Sequence, residues 1–298
     1  MRQPGDSIMS THCTLIINPV SGGYSEQKLR RVRAALEGGG FTSELLLTKS
    51  AYDATLFARR ICQERREPFV VAGGGDGTVN GVINGLEPGK AVLAVLPLGT
   101  ANVLAAELGI ASIDDAVARI VRGTTRPLTI GLLRADRVER RFLLMAGIGM
   151  DGRIVEQVRE SEKRMVGKVA YLLSAAREMQ KWERERFEVI ADGKRIDCHS
   201  LIVCNGARYG GGFILAPGAD IFAPGLQAAC MTGTTRSAYL RLAFSVIAGR
   251  VLKNSDITFV TAFELAVSGN RVVQVDGDYC CRGPLKITAE AGFARLIV

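Results

Sequence analysis

The sequence predicts an α/β N-terminal domain built on a mainly parallel sheet, followed by a β-rich, sandwich-type C-terminal domain. Over the first 125 residues, short apolar runs alternate with amphipathic segments, the pattern of repeated β-α units. Polar, glycine-bearing loops directly follow three of these runs. From about Arg126 the apolar runs crowd together, and Asp192-Gly193 between two of them is a hairpin-turn signal.

The elements follow in order. Thr14-Leu15-Ile16-Ile17 reads as a buried strand ending at Asn18-Pro19-Val20-Ser21-Gly22-Gly23. A helix comes next, capped by Ser25, with Leu29, Val32 and Leu36 on one face and Gly38-Gly39-Gly40 as its stop. Leu45-Leu46-Leu47 is the second strand. Ala54, Phe57, Ala58, Ile61 and Cys62 then recur at helical spacing. Phe69 to Ala72 is the third strand and runs straight into Gly73-Gly74-Gly75-Asp76-Gly77-Thr78; the helix after it turns Val79, Val82, Ile83 and Leu86 inward. A fourth strand, Ala91 to Leu96, ends at Pro97-Leu98-Gly99-Thr100-Ala101-Asn102, and helices near 101–108 and 113–122 complete the pattern. In a parallel sheet of this kind, ligands bind beyond the carboxyl ends of the strands, where all three polar loops fall.

In the second half, strands are expected at Leu128–Leu133, Phe142–Ala146, Phe187–Ala191, Leu201–Cys204 and Leu226–Met231. A long helical stretch from about Ile154 to Glu185, rich in Arg, Lys and Glu, interrupts them, and a shorter helix is expected near Ser237–Arg250. The basic residues of the long stretch, Arg159, Lys163, Arg164 and Lys168 among them, read as a solvated face or as an electrostatic contact with anionic lipid.

Composition narrows the function. With 298 residues, 47% of them hydrophobic, the chain can bury a sizeable core in two modest domains. No apolar run approaches the roughly 18 residues of a membrane-spanning helix. The first dozen residues lack the apolar centre of a signal peptide, so a cytoplasmic location is expected. The seven cysteines show no metal-ligand spacing and read as buried thiols, and two histidines leave little for zinc sites or histidine triads. A net charge of +8 suits an anionic surface or a polyphosphate. Nucleic acid is disfavoured, because aromatics are only 6% and no nucleic-acid motif is visible.

The Gly73–Thr78 loop suits phosphate. Glycine lets a ligand approach the backbone, and successive amides at a helix N-terminus converge on an anion. Asp76 repels bare phosphate but can act through Mg²⁺. Alternatively the loop is a tight strand-to-helix turn with Asp76 as a helix cap. The Rossmann and nucleophile-elbow patterns are absent, and Gly89-Lys90-Ala91 misses the Walker pattern.

Asn18-Pro-Val-Ser21-Gly22, then Gly-Gly-Gly-Asp-Gly-Thr, then Pro97-Leu-Gly-Thr-Ala-Asn102 resembles the diacylglycerol kinase catalytic domain of bacterial lipid kinases, sphingosine kinases and ceramide kinases. Asn205 with Tyr209 to Phe213, Ala216-Pro217, and Val275-Asp276-Gly277-Asp278 extend the resemblance over nearly the whole chain. It implies an NAD kinase/diacylglycerol kinase-like fold, with a nucleotide-binding domain at 11–127, a lipid-binding sandwich at 128–287, and a final segment, about 288–298, returning to the first. It further implies ATP and Mg²⁺. Asn18, Ser21, Gly22, Gly74, Gly75, Gly77 and Thr78 would hold phosphates, and Thr48 would lie near the nucleoside. Gly99, Thr100 and Asn102 would contact the nucleotide or its metal, and Asp76 would bind Mg²⁺ or orient the reacting groups. Asp276 matches the first acid of the family's Asp-Gly-Glu motif, and Asp278 stands in place of the glutamate. Either could take the proton of a lipid hydroxyl. Taken alone, the same three residues could be a polar turn between strands. Where some members carry an Asp-Gly pair that holds a structural metal, this chain has Pro224-Gly225, so that metal site is not expected, although Asp220 lies nearby.

The resulting expectation is an ATP-dependent lipid kinase, with diacylglycerol as the default acceptor and peripheral contact with an anionic membrane. An NAD kinase-type enzyme and a non-catalytic nucleotide- or lipid-binding regulator are the alternatives, and homo-oligomerisation stays open.

Overall fold

The computed structural model describes residues 11–157, 185–209, 212–247, 249 and 256–298. They form two compact units, one of residues up to Leu128 together with Gly292–Val298, the other of Thr129–Ala291.

The first unit carries strands β1 (Thr11–Ile17), β2 (Phe41–Leu47), β3 (Phe69–Gly74) and β4 (Val92–Pro97) and helices α1 (Glu26–Gly38), α2 (Asp53–Glu64), α3 (Asp76–Gly85), α4 (Val103–Glu107) and α5 (Ile113–Arg122). The strands lie in the order β2-β1-β3-β4, all parallel, and the end of the chain adds a fifth parallel segment beside β4, with Arg295 opposite Val92. Both faces of the sheet are covered, which is why the strands read as continuous apolar runs. Cys13, Leu15, Ile17, Val71, Ala94 and Leu96 meet Val32 and Leu36 of α1 and Ala116 and Ile120 of α5. α2 packs on α3, and a side chain at Gly85 would collide with the Thr55 backbone. Ser25 caps α1 by accepting from the Lys28 amide at 3.2 Å, and Gly40, at φ 85°, lets the chain turn into β2.

The second unit is a β-sandwich. Its strands are β5 (Thr125–Ala135, entering from the first unit), β6 (Val138–Phe142), β7 (Met145–Ile148), β8 (Phe187–Ala191), β9 (Lys194–Cys198), β10 (Ser200–Cys204), β11 (Arg208–Tyr209), β12 (Phe213–Ile214), β13 (Leu226–Met231), β14 (Ile257–Ala262), β15 (Glu264–Val267), β16 (Val272–Val275), β17 (Asp278–Arg282) and β18 (Leu285–Ile297, whose end belongs to the first unit). One layer is the antiparallel sheet β14-β13-β10-β7-β16-β17. The other holds β9-β8-β15 against the start of β18, with the β5-β6 hairpin. Between them lies a core that includes Leu133, Phe142, Val189, Leu201, Val203, Val273 and Ile287, each contributed by an inward position of its strand. Helices α6 (Met150–Gln157) and α7 (Arg236–Ile247) complete the described residues of this unit.

Three expectations need correction. The strand expected at Phe142–Ala146 is two strands, β6 and β7, because Leu143 and Leu144 leave the ladder to meet Asp276. β2 begins at Phe41, four residues before its apolar run, and the helix expected from Ile154 begins at Met150. The basic residues from Arg159 to Lys181 lie outside the described residues. Among the described residues no helix is long and apolar enough to cross a membrane.

Candidate functional site

Parallel register sets the first part of the site. Leu47 lies opposite Ile17, Ile17 opposite Gly73, and Gly74 opposite Pro97, so the residues that follow these strands emerge side by side at one edge of the sheet. Backbone hydrogen bonds knit them together. Thr48 N donates to Ile17 O at 2.9 Å, Asn18 N to Gly73 O at 2.8 Å, and Leu98 N and Gly99 N both to Gly74 O at 3.1 Å. Gly23 N donates to Leu98 O at 2.8 Å, which ties the Asn18–Gly23 loop to the loop after β4. The Asn18 carboxamide accepts from Val20 N at 3.1 Å, and its Nδ2 lies 3.5 Å from the Thr78 hydroxyl.

Close approach requires glycine at two of these positions, Gly74 and Gly99. A Cβ on Gly99 would overlap Gly75 Cα and stand 2.8 Å from Asn102 Oδ1, and one on Gly74 would run into the Thr78 side chain. Gly22 has room for a side chain, since a Cβ there would make only an ordinary 3.9 Å contact with the Thr100 hydroxyl. Asn102, in the left-handed region at φ 45°, closes its own loop: its Oδ1 accepts from Gly99 N at 2.9 Å and its Nδ2 donates to Gly99 O at 2.7 Å. Gly75 begins α3 without a side-chain cap, so the amides of Asp76 and Gly77 open the helix with no carbonyl behind them to bond. Such amides, with the helix dipole behind them, suit a phosphate oxygen.

Asp76 is a cap, but of a different helix. Its Oδ2 accepts from Val103 N at 3.0 Å and its Oδ1 from Leu104 N at 3.1 Å, the first amides of α4. The carboxylate thereby locks the loop after β3 to the loop after β4. Each oxygen keeps a further lone pair, so the group still fits Mg²⁺, which is commonly held by one or two carboxylates together with phosphate oxygens and water.

Asp276 and Asp278 belong to the second unit, on the turn between β16 and β17. Asp276 and Gly277 both have positive φ, 48° and 88°. The Asp276 carboxylate is clasped by a strand gap: Oδ2 accepts from Leu143 N at 2.8 Å, and Oδ1 from Leu144 N and Met145 N at 2.9 Å each. Asn205, fully buried, holds the same gap by donating Nδ2 to Leu143 O and Thr129 O, both at 2.7 Å. Asp278 is exposed. Asp220 accepts from Phe222 N at 2.9 Å, closing the loop that leads to Pro224.

The sequence reading missed Asp151. It is a buried carboxylate on the first turn of α6 that accepts from the Tyr209 hydroxyl at 2.5 Å and from Gln274 Nε2 at 2.7 Å. Burial pushes its pKa up, and these two hydrogen bonds oppose the rise. The available signal was Gly147-Ile-Gly149-Met-Asp151-Gly152, a glycine-spaced acid between a strand and a helix.

Comparison with known proteins agrees with this architecture. Residues 12–133 match the family model of the diacylglycerol kinase catalytic domain, and residues 145–298 that of the YegS C-terminal NAD kinase beta sandwich-like domain. The chain is 28% identical to a diacylglycerol kinase of Bacillus subtilis (strain 168), over 89% of each chain. It is 34% identical to a Klebsiella pneumoniae (strain 342) protein named "Probable lipid kinase YegS-like", over 70% of this chain and 69% of the relative. A crystal structure of a diacylglycerol kinase from Bacillus anthracis str. Sterne superposes with a TM-score of 0.74 over 97% of this chain and 96% of the other, at 20% identity, which speaks for the fold alone. Two family models that together span almost the whole chain, and a lipid-kinase relative above 30% identity, place it: this chain belongs to the diacylglycerol kinase and YegS-like lipid kinase family.

Proposed function

We propose that the chain transfers the γ-phosphoryl group of ATP to a hydroxyl of a diacylglycerol-like membrane lipid, with Asp278 as general base. The observation that carries the division of labour is the clasp on Asp276. Three amides already occupy its carboxylate, whereas Asp278, two residues on, is exposed. Asp276 then fixes the turn and Asp278 takes the hydroxyl proton as the lipid oxygen bonds to the γ-phosphorus. The bond from that phosphorus to the β-phosphate bridging oxygen breaks, and ADP leaves. The triphosphate would rest on the first amides of α3 and on the loops that begin at Asn18 and Gly99. Thr48, Ser21, Gly22, Thr78, Thr100 and Asn102 border the same edge. Mg²⁺, held by Asp76, would neutralise the charge gathering on the phosphate oxygens.

Peripheral attachment to a bilayer is part of the proposal. α7 turns Tyr239, Leu242 and Val246 to a small core but leaves Leu240 and Phe244 exposed on its outer face, and β12 beside it exposes Phe213 and Ile214. The charged residues of α7 are Arg236 and Arg241, and Arg241 is paired with Asp256, so the apolar side chains carry the argument for an interfacial helix.

The test is phosphate transfer from labelled ATP and Mg²⁺ to a panel of lipids in mixed micelles, with NAD as a parallel acceptor. Labelled phosphatidic acid is the expected product from diacylglycerol. Labelling of NAD with every lipid inert would overturn the proposal.

A further inference from the structure

Asp151 is 6% exposed, and a buried carboxylate is retained only where it is well bonded. Tyr209 and Gln274, which both donate to it, are neutral. The packing around it is built to admit it. Gly147 lies opposite Gln274 in the β7-β16 ladder, and a Cβ there would occupy the space of the Asp151 carboxylate. A Cβ on Gly152 would strike Val272 O, so α6 rides directly on β16.

The chemistry of the contact is directional. An ionised carboxylate only accepts, so in that form Asp151 can face the Nε2 of Gln274 but not its oxygen. That choice aims Gln274 Oε1 the other way, where it accepts from Gly277 N at 2.8 Å. Were the carboxamide reversed, Nε2 would confront the Gly277 N–H donor to donor, and the turn would have to move.

We infer that Asp151 is a positioning residue of the lipid-kinase reaction: by orienting Gln274 it sets the Asp276-Gly277-Asp278 turn and thereby aims the Asp278 carboxylate. This rests on the reading of Asp278 as the base.

Substitutions at two positions test it. In Asp151→Asn the new amide can keep its oxygen toward Gln274 and give its NH₂ to the Tyr209 oxygen, because a hydroxyl accepts as well as donates. This variant should keep kcat within about threefold of wild type, and so should Tyr209→Phe, which leaves the carboxylate facing Gln274. Asp151→Ala removes the director, and kcat should fall at least about tenfold while KM for ATP holds within about twofold. The double variant Asp151→Asn with Tyr209→Phe strands the asparagine NH₂, frees the amide to turn, and should fall like Asp151→Ala, far beyond the sum of its parts. Should Asp151→Ala fail to fold, the double variant decides. Hydrogen exchange of the 274–279 segment supplies a readout apart from activity. It should quicken in Asp151→Ala and in the double variant and stay at the wild-type rate in the two conservative singles. Equal losses in Asp151→Asn and Asp151→Ala, or additive effects in the double variant, would overturn the inference. A wild-type protein that labels no lipid would sink the proposed function, and exchange alone would then decide on Asp151.

Discussion

Asp276→Asn separates anchoring from chemistry at the turn. Asparagine keeps one acceptor oxygen. In its better orientation that oxygen retains the two 2.9 Å contacts to Leu144 and Met145, and the new NH₂ meets the Leu143 amide donor to donor. One hydrogen bond to a charged group, worth about 1.5–3 kcal/mol, is lost outright, and the two survivors drop to roughly half their strength. The left-handed backbone at φ 48° suits asparagine nearly as well as aspartate, so no conformational cost is added. The expected loss is about 3 kcal/mol, which lowers Tm by about 6–12 °C for a domain of this size. Asp276→Ala removes all three hydrogen bonds and adds left-handed strain, and should fall further. Circular-dichroism melts report the loss, with initial rates taken well below both transitions. An unchanged Tm with abolished activity would refute the reasoning, because the carboxylate would then be acting on the reacting atoms instead of bracing the chain.

Asp278→Asn should cut kcat by about 10²–10⁴-fold with nucleotide affinity unchanged, as expected on losing a general base. Gly99→Ala drives a methyl into Gly75 and toward Asn102; it should destabilise the first unit by about 1–3 kcal/mol and weaken MgATP binding measured by calorimetry. Leu240→Asp with Phe244→Asp should lower co-sedimentation with anionic vesicles by at least about tenfold while activity on short-chain lipid dispersed in detergent persists. The fourth concerns pH. Asp151 has its pKa raised by burial, so between the ordinary aspartate value of about 3.9 and the native value the folded chain holds a proton that the unfolded chain has lost. This group's contribution therefore falls as pH rises through that window. Asp151→Asn lacks it, so the stability of wild type relative to the variant, read from urea midpoints, should decline as pH rises above about 4. A constant difference would contradict the shift.

The β-α rhythm of the first unit was legible because both faces of its sheet are buried and each strand advertises itself as an apolar run. The exception is β2. Phe41 to Glu44 is polar on the whole, yet it pairs with β1 in full register, since an edge strand tolerates exposed side chains that a central one does not. The three loops were legible from glycine and polar residues after each strand. What they do to one another was not. That Asp76 would cap α4 depends on Val103 and Leu104, 27 and 28 positions away, and no local pattern carries that distance. The same holds for the break between β6 and β7. Phe142 to Ala146 is an apolar run by any window, and only Asp276, more than 130 positions on, pulls Leu143 and Leu144 out of the ladder.

The chain contains its own control for the reading of Asp276. Asp192-Gly193 is a second turn of the same kind in the second unit, with φ 44° and 82° against 48° and 88°. Its carboxylate accepts from Phe263 N and Glu264 N, and Asp192 N donates to Glu264 O at 3.0 Å. Asp276 repeats the device on Leu143, Leu144 and Met145, with Asp276 N donating to Met145 O at 2.9 Å. In both, a left-handed aspartate hooks a distant strand end by carboxylate and amide together. The first turn continues into Lys194, which leaves no acid beside it, so the hook needs no catalytic purpose to exist. What sets the second turn apart is Asp278, and the Gln274 bond to Gly277 that the first turn has no counterpart for among the described residues. A hook shared by two turns is best explained as architecture; the acid and the directed amide found at only one of them are where the chemistry should be sought.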